Sequence, residues 1–458
     1  MHYYSTRNKN ESVNFAKAAL TGLAPDGGLF VPEVIPQYPA QVRSSLGSMN
    51  FRDIAFETIK PYVQSDIPPG ALEDIVNSAY TFGSPFVSVM NWFALELFHG
   101  PTAAFKDFGA RFMARAFSYL RRGEDRRLRI LVATSGDTGG AVADGFFDIP
   151  GISVTVLYPK GRVTPLQERQ IAGLGKNISA LAVEGSFDDC QRLVKAALAD
   201  EYLKKKMSLS SANSINISRL IPQAVYYAAA AGRAFAGCVD PDGEATPRLA
   251  GFPRAKEARR GLPVTLCVPS GNFGNLTAGL YAMKMGAPVT QFIAATNINK
   301  TVPDYLASGE YLERASQATI SNAMDVGAPS NFERMSAHFS WDKMKQLILG
   351  VSVNDEDTRE TIARVSQKSG YILDPHSAVG WKGAEKLSAE NKLNERAIGI
   401  LCTAHPAKFM EIVEPLAGSL PVPTSLARAM ERTVSAKTIP AQVPAFIETL
   451  KTQEAAYD

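Results

Sequence analysis

The sequence predicts an α/β fold. Six short apolar runs carry that prediction: LRILVAT, ISVTVLY, ISALAVE, LPVTLCVPS, TQFIAAT and RAIGILCTA. They are dense in Val, Ile, Leu and Ala, as strands buried on both faces of a parallel sheet are. Many run into a Gly- or Ser-rich turn and then a helical pattern. A parallel sheet needs such helices, because its two apolar faces must both be covered.

The first ninety or so residues lack these runs. They hold TGLAPDGGLFVPEVIPQ, a mixed helical region and SDIPPGALEDIV. A separate N-terminal domain is expected there, over residues 1–92. Residues 93–220 are expected to form one α/β lobe, and 221–458 a larger one with C-terminal helices. AVYYAAAAGRAFAGCV is broken by Arg233, so it reads as a buried helix and not as a membrane span. DPDGEATPRLAGFPRAKEARRG mixes Pro, Gly and charge between two better-patterned regions. It predicts a mobile surface insertion over about 240–260.

The 458 residues include 48 Lys and Arg against 45 Asp and Glu, a net charge of +3, with 45% hydrophobic residues. That balance excludes disordered, collagenous and coiled-coil classes. It also argues against nucleic acid as a partner, since binders of polyanions carry a strongly basic face. The N-terminus has no apolar segment with a cleavage site, so neither export nor membrane attachment is expected. Cys190, Cys238, Cys267 and Cys402 are scattered without a CxxC pair, so no metal site and no disulfide framework is expected. Cys267 and Cys402 read as small core hydrophobes in strands. A reducing cytoplasm is the expected location.

Five segments carry polar chemistry. In HGPTAAFKDFG, Lys106 sits between Phe105 and Phe108 near a helix start. Burial and a helix N-terminus both disfavour its charge, which suits an amine nucleophile; the alternative is a solvated lysine paired with Asp107. In ILVATSGDTGG, a strand runs into Thr134, Ser135, Gly136, Asp137 and Thr138. Its helix start can take a carboxylate or phosphate; the alternative is a routine turn capped by Ser or Asp. In TLCVPSGNFGN, Ser270 to Asn275 form a glycine-rich turn at another strand end, suited to cradling phosphate. It is neither GxGxxG nor a Walker loop. In GILCTAHPAKF, Thr403 offers a hydroxyl at a strand end, or a cap ahead of Pro406. In SANSINISR, Asn213, Asn216 and Arg219 cluster, and Arg219 could bind an anion bidentately or lie on the surface.

Seven stretches together resemble the pyridoxal-phosphate enzymes of fold type II, and within them the threonine synthase family. They are TGLAPDGGLFVP, LFHGPTAAFKDFGARFMA, TSGDTGGAVA, NSINISR, PSGNFGNLTAG, DPHSAVG and TAHPAKF, spanning most of the chain. The resemblance implies a tryptophan-synthase-β-like fold of two open twisted lobes plus the N-terminal domain. It implies that Lys106 is the Schiff-base lysine and that Gly271, Asn272, Phe273, Gly274 and Asn275 wrap the phosphate of pyridoxal 5'-phosphate. Thr403 matches the hydroxyl at the pyridine nitrogen, and Ser135 to Thr138 match the loop gripping the substrate carboxylate. The chain departs from many sister enzymes at Asp137, where they carry Asn.

The implied reaction turns O-phospho-L-homoserine and water into L-threonine and phosphate. The alternative is a related lyase or dehydratase acting on a hydroxy- or phospho-amino acid. Lys160, Arg162 and Arg219 are the candidate ligands of the substrate phosphate. A monomer or homodimer is expected. Asp374 reads as a helix cap, with the role of His376 open.

Overall fold

The computed structural model describes residues 1–237, 261–393 and 397–455. Cys238 and nearly all of the expected insertion lie outside those residues. In chain order the strands are β1 (Tyr3–Ser5), β2 (Ser12–Val13), β3 (Phe30–Pro32), β4 (Phe86–Val89), β5 (Trp92–Glu96), β6 (Leu128–Ala133) and β7 (Ile152–Pro159). They continue as β8 (Ile178–Glu184), β9 (Ser208–Ser211), β10 (Val264–Pro269), β11 (Val289–Thr296), β12 (Ile348–Ser352), β13 (Ile398–Cys402) and β14 (Lys437–Pro440).

These strands form three sheets. A small antiparallel sheet has the order β2-β1-β3, a six-stranded sheet β12-β11-β10-β13-β5-β4, and a five-stranded sheet β14-β8-β7-β6-β9. The two larger sheets are parallel except for the β4–β5 hairpin. All six apolar runs are strands of these two sheets. Of the strands in these sheets that the runs did not announce, β4, β9, β12 and β14 sit at the sheet edges, and β5 lies inside, between β13 and β4. An edge strand pairs on one side only, and sequences such as SLSS, ILGVS and KTIP tolerate that position.

The sheets do not divide at 92/93 and 220/221. The β4–β5 hairpin joins the six-stranded sheet, although β4 precedes residue 92. At the other end, β14 crosses back to pair with β8 of the five-stranded sheet. The helix Val443–Ala455 follows it, and Phe446 and Leu450 pack into the core of that lobe. Local composition marks a strand, but not the sheet that receives it.

The helix Ala224–Ala236 is buried along most of its length, as its alanines imply. No helix among the described residues is long and apolar enough to cross a membrane. Cys190, Cys267 and Cys402 are buried and unpaired. Burial pushes all three thiols upward, Cys190 to about 12.

Candidate active site

The carboxyl ends of β10 and β13 open onto a cavity. Lys106, Asp137, Arg219, the turn Gly271 to Asn275, His376 and Thr403 all line it. Ligands of open α/β sheets bind at such strand ends.

Lys106 opens the helix Lys106–Leu120. The loop before it is stitched to the end of β13. Phe105 N–H donates to the Thr403 carbonyl at 2.9 Å, and His405 N–H to the Ala103 carbonyl at 3.0 Å. Those bonds turn the lysine and Thr403 toward one cavity. Lys106 Nζ lies 4.6 Å from the centre of the Phe105 ring. Burial brings its pKa from 10.5 down to about 8, with Arg219 and Lys408 adding to the shift and Asp137 opposing it. The alternative pairing with Asp107 is not made. Asp107 instead accepts from Thr102 N–H at 2.9 Å and Thr102 Oγ1 at 2.7 Å. Burial raises its carboxyl to about 6 against those bonds.

Arg219 is buried, so the surface reading fails. Nη1 donates to the Ala212 carbonyl at 2.6 Å, while Nε finds no acceptor. Burial lowers its pKa to about 10, opposed by Asp107. It remains charged, and it is a cation in the cavity wall.

The glycine-rich turn is held open by its own geometry. Phe273 adopts a left-handed φ of 60°, and the helix Gly274–Met285 starts immediately after it. Ser270 Oγ donates to Asn275 Oδ1 at 2.7 Å, and Asn275 Nδ2 to the Pro269 carbonyl at 2.8 Å. A Cβ on Gly271 would stand 2.8 Å from the Ala323 carbonyl oxygen, so only glycine fits there. The backbone N–H groups of residues 271 to 275 find no acceptor among the described residues. Together with the helix dipole they could hold an anion.

The turn after β6 is built differently. The helix Asp137–Phe146 starts at Asp137 without a side-chain cap from Gly136, so the expected Ser or Asp cap is absent. Thr134 Oγ1 instead accepts from the N–H groups of Gly136 and Gly139, at 2.9 and 2.8 Å. Of this turn Asp137 lines the cavity. Its Oδ1 is 2.7 Å from Lys408 Nζ and accepts from Gln167 Nε2 at 3.0 Å. Burial alone would raise the Asp137 carboxyl; Lys408, His376 and Gln167 outweigh it and hold it below the ordinary value. Asp137 is therefore an ionised group whose charge is matched by a lysine.

Lys408 lies within the TAHPAKF stretch, where no pattern in the sequence assigns it a role. Its side chain is fully buried, and Nζ also donates to the Thr102 carbonyl at 2.9 Å. The signal for it in the sequence was a lysine inside the apolar run AHPAKFM. His376 is the second addition. Its Nδ1 lies 2.7 Å from Asp374, and its Nε2 accepts from Ala323 N–H at 3.2 Å. That pair of bonds puts the proton on Nδ1. Asp374 caps the helix Pro375–Ala389 through the N–H groups of His376 and Ser377, as the cap reading expects. The cap ahead of Pro406 is His405, not Thr403.

Other candidates face the fold instead of the cavity. Asn213 bonds both backbone groups of Ala133, at 3.1 and 2.6 Å. Asn216 donates to the carbonyls of Ala19 and Ser211 at 2.8 and 2.9 Å. Lys160 and Arg162 are exposed and outside the cavity lining. Lys160 pairs at 3.2 Å with Glu184, at the end of the neighbouring strand β8.

A buried amine of lowered basicity, a strand-end hydroxyl and an uncommitted N-terminal turn suit pyridoxal phosphate. They match its aldehyde, its ring and its phosphate respectively.

Comparison with known proteins agrees. The family model "Threonine synthase N terminus" matches residues 2–80, "Pyridoxal-phosphate dependent enzyme" residues 84–404, and "Threonine synthase, C-terminal" residues 377–449. The threonine synthase of Escherichia coli is 40% identical over 449 residues, covering 97% of this chain and 98% of its own. That of Haemophilus influenzae is 42% identical over 431 residues, covering 93% and 94%. The crystal structure of the E. coli enzyme superposes with a TM-score of 0.87 at 39% identity, over 99% of this chain and 100% of its own. The structure of PLP-bound threonine synthase from Brucella melitensis superposes with a TM-score of 0.84 at 34% identity, over 99% of each chain. The chain belongs to the pyridoxal-phosphate dependent enzymes and, within them, to the threonine synthase family.

Proposed function

We propose that the protein converts O-phospho-L-homoserine and water to L-threonine and phosphate, the last step of threonine biosynthesis. The observation that carries this reading is the shared cavity of Lys106 and the glycine-rich turn. Lys106 Nζ would hold the aldehyde carbon of pyridoxal phosphate, and residues 271 to 275 its phosphate. When bound, the cofactor supplies an electron sink for charge developing on the substrate carbons. Thr403, in the cavity wall, would offer a hydroxyl to the ring nitrogen. Unlike a carboxylate, it does not force that nitrogen to stay protonated.

The remaining chemistry belongs to side chains of this protein. As a free amine, Lys106 Nζ would take the proton from the substrate α-carbon. The same amine serves the proton transfers at the β- and γ-carbons as phosphate leaves and water adds. A pKa near 8 suits this, because the amine can be base and then acid at working pH. The turn Thr134 to Thr138 is proposed to take the substrate carboxylate. The Asp137–Lys408 pair makes that tolerable, since an unmatched carboxylate there would repel it. Arg219 is the proposed ligand of the substrate phosphate, supported by its charge and its unpartnered Nε in the wall.

One chain supplies every group named here, which supports a site complete within a monomer. We place the enzyme in the cytoplasm, where the buried thiols stay reduced. The deciding assay supplies O-phospho-L-homoserine to the purified protein. Threonine and phosphate should appear in equal amounts, and Lys106→Ala should abolish both. A ketoacid in place of threonine would assign the chain to dehydratase chemistry instead.

A further inference from the structure

The turn after β10 is flanked by a residue that no motif pointed to. Asn331 is fully buried, immediately ahead of the helix Phe332–His338. Its N–H donates to the Asn272 carbonyl at 3.2 Å, and Ser330 N–H donates to Asn272 Oδ1 at 3.3 Å. Ser330 and Asn331 are thus fastened to the turn through their backbone N–H groups.

Its amide is oriented from the other side. Arg334 Nη1 donates to Asn331 Oδ1 at 2.7 Å. Arg334 is itself buried and held by the carbonyls of Phe30 at 3.0 Å, Ser214 at 3.1 Å and Ile215. A guanidinium only donates, so the amide cannot be turned over without setting two donors face to face. Oδ1 must face Arg334, and Nδ2 must face away from it.

Nδ2 is buried and has no acceptor among the described residues. It lies 3.3 Å from where a Cβ on Gly274 would stand. Gly274 is the first residue of the helix at the cavity and one of its lining residues. A buried amide N–H without an acceptor is costly unless a ligand supplies one. Glycine at 274 leaves the intervening space free of side chain. The cation on Oδ1 also polarises the amide and strengthens Nδ2 as a donor.

We propose that Asn331 Nδ2 donates a hydrogen bond to the phosphate group seated on the turn Gly271 to Asn275. This rests on the reading above that the phosphate is that of pyridoxal phosphate. Asn331 then serves as a positioning donor, and Arg334 reaches the anion through it without contact.

The test uses the full-length chain freed of cofactor and titrated with pyridoxal phosphate and with pyridoxal, which lacks the phosphate. Asn331→Asp keeps an acceptor for Arg334 but replaces the donor with an anion; Asn331→Ala removes both. Each should weaken pyridoxal phosphate roughly tenfold or more, as loss of a charge-assisted bond does, Asp more than Ala. Pyridoxal affinity should stay unchanged. Equal weakening of both ligands would reduce Asn331 to a structural role and overturn the proposal. Unchanged pyridoxal phosphate affinity with a raised KM for O-phospho-L-homoserine would overturn it too, by moving the donor to the substrate phosphate. If the unmodified chain itself fails to prefer pyridoxal phosphate over pyridoxal, the phosphate cradle falls as well as Asn331.

Discussion

The turns after β6 and β10 look alike in sequence and behave differently in the fold. Each follows a buried strand, mixes Gly with small polar residues and starts a helix. The β10 turn leaves the N–H groups of 271 to 275 uncommitted and presents all five residues to the cavity. The β6 turn spends Thr134 on two of its own N–H groups and presents Asp137, whose charge Lys408 matches. One turn offers free backbone donors to the cavity, and the other is a wall held by a buried ion pair. A strand–turn–helix motif therefore announces a site without saying whether backbone or side chain will use it.

The largest expected effect breaks the β6 turn. Lys408→Met leaves Asp137 buried and unpaired, which should cost about 3–5 kcal/mol in a denaturant titration. Asp137→Asn added to that variant should recover most of the loss. The pH dependence should invert as well. In the unmodified protein the Asp137 carboxyl is held below its ordinary value, so its stabilisation is lost as pH falls below the carboxylate range. In Lys408→Met burial pushes the carboxyl up instead, so stability should fall as pH rises through that range. A stability–pH curve of unchanged shape would sink the role given to the pair.

Gly271→Ala breaks the β10 turn, where the new methyl meets the backbone of Ala323 and Met324. About 1–3 kcal/mol of stability should go, together with cofactor retention measured by dialysis. A variant that keeps its cofactor would show that the wall opposite can retreat.

Lys106 sharpens the comparison from between the two turns. Its neutral amine is the form that attacks an aldehyde. The rate of cofactor capture by the stripped protein should therefore rise about tenfold per pH unit below about 8 and level off above it. Asp137→Asn removes an opposing charge and should move that inflection lower. An inflection near the ordinary lysine value would mean the amine is not desolvated.

The smallest effect is expected at Lys160, on the same lobe as the β6 turn. Its ion pair with Glu184 is half exposed, and exposed pairs contribute little. Lys160→Ala should leave KM within about twofold. A large rise in KM would return Lys160 to the substrate site on closure of the lobes.

The sequence by itself determined the α/β class and six of the strands, and through the family resemblance it pointed to Lys106, Thr403 and the glycine-rich turn. The strands and the turn are local signals, an apolar run and a turn composition, whereas the two side chains are marked by the stretches that resemble the family. The edge strands β4, β9, β12 and β14 carry no such run because a strand paired on one side does not need one, and the interior β5 is too short to stand out. Tertiary structure alone decided the rest. It returned β14 to the five-stranded sheet, sent Asn213 and Asn216 into backbone bonds, and left Lys160 exposed and paired with Glu184. It also brought Lys408 to Asp137, His376 to Ala323 and Asn331 to Gly274. The physical reason is the same throughout. An ion pair or an amide orientation is set by what burial places within about 3 Å, across segments far apart in the chain, and no local pattern records those meetings.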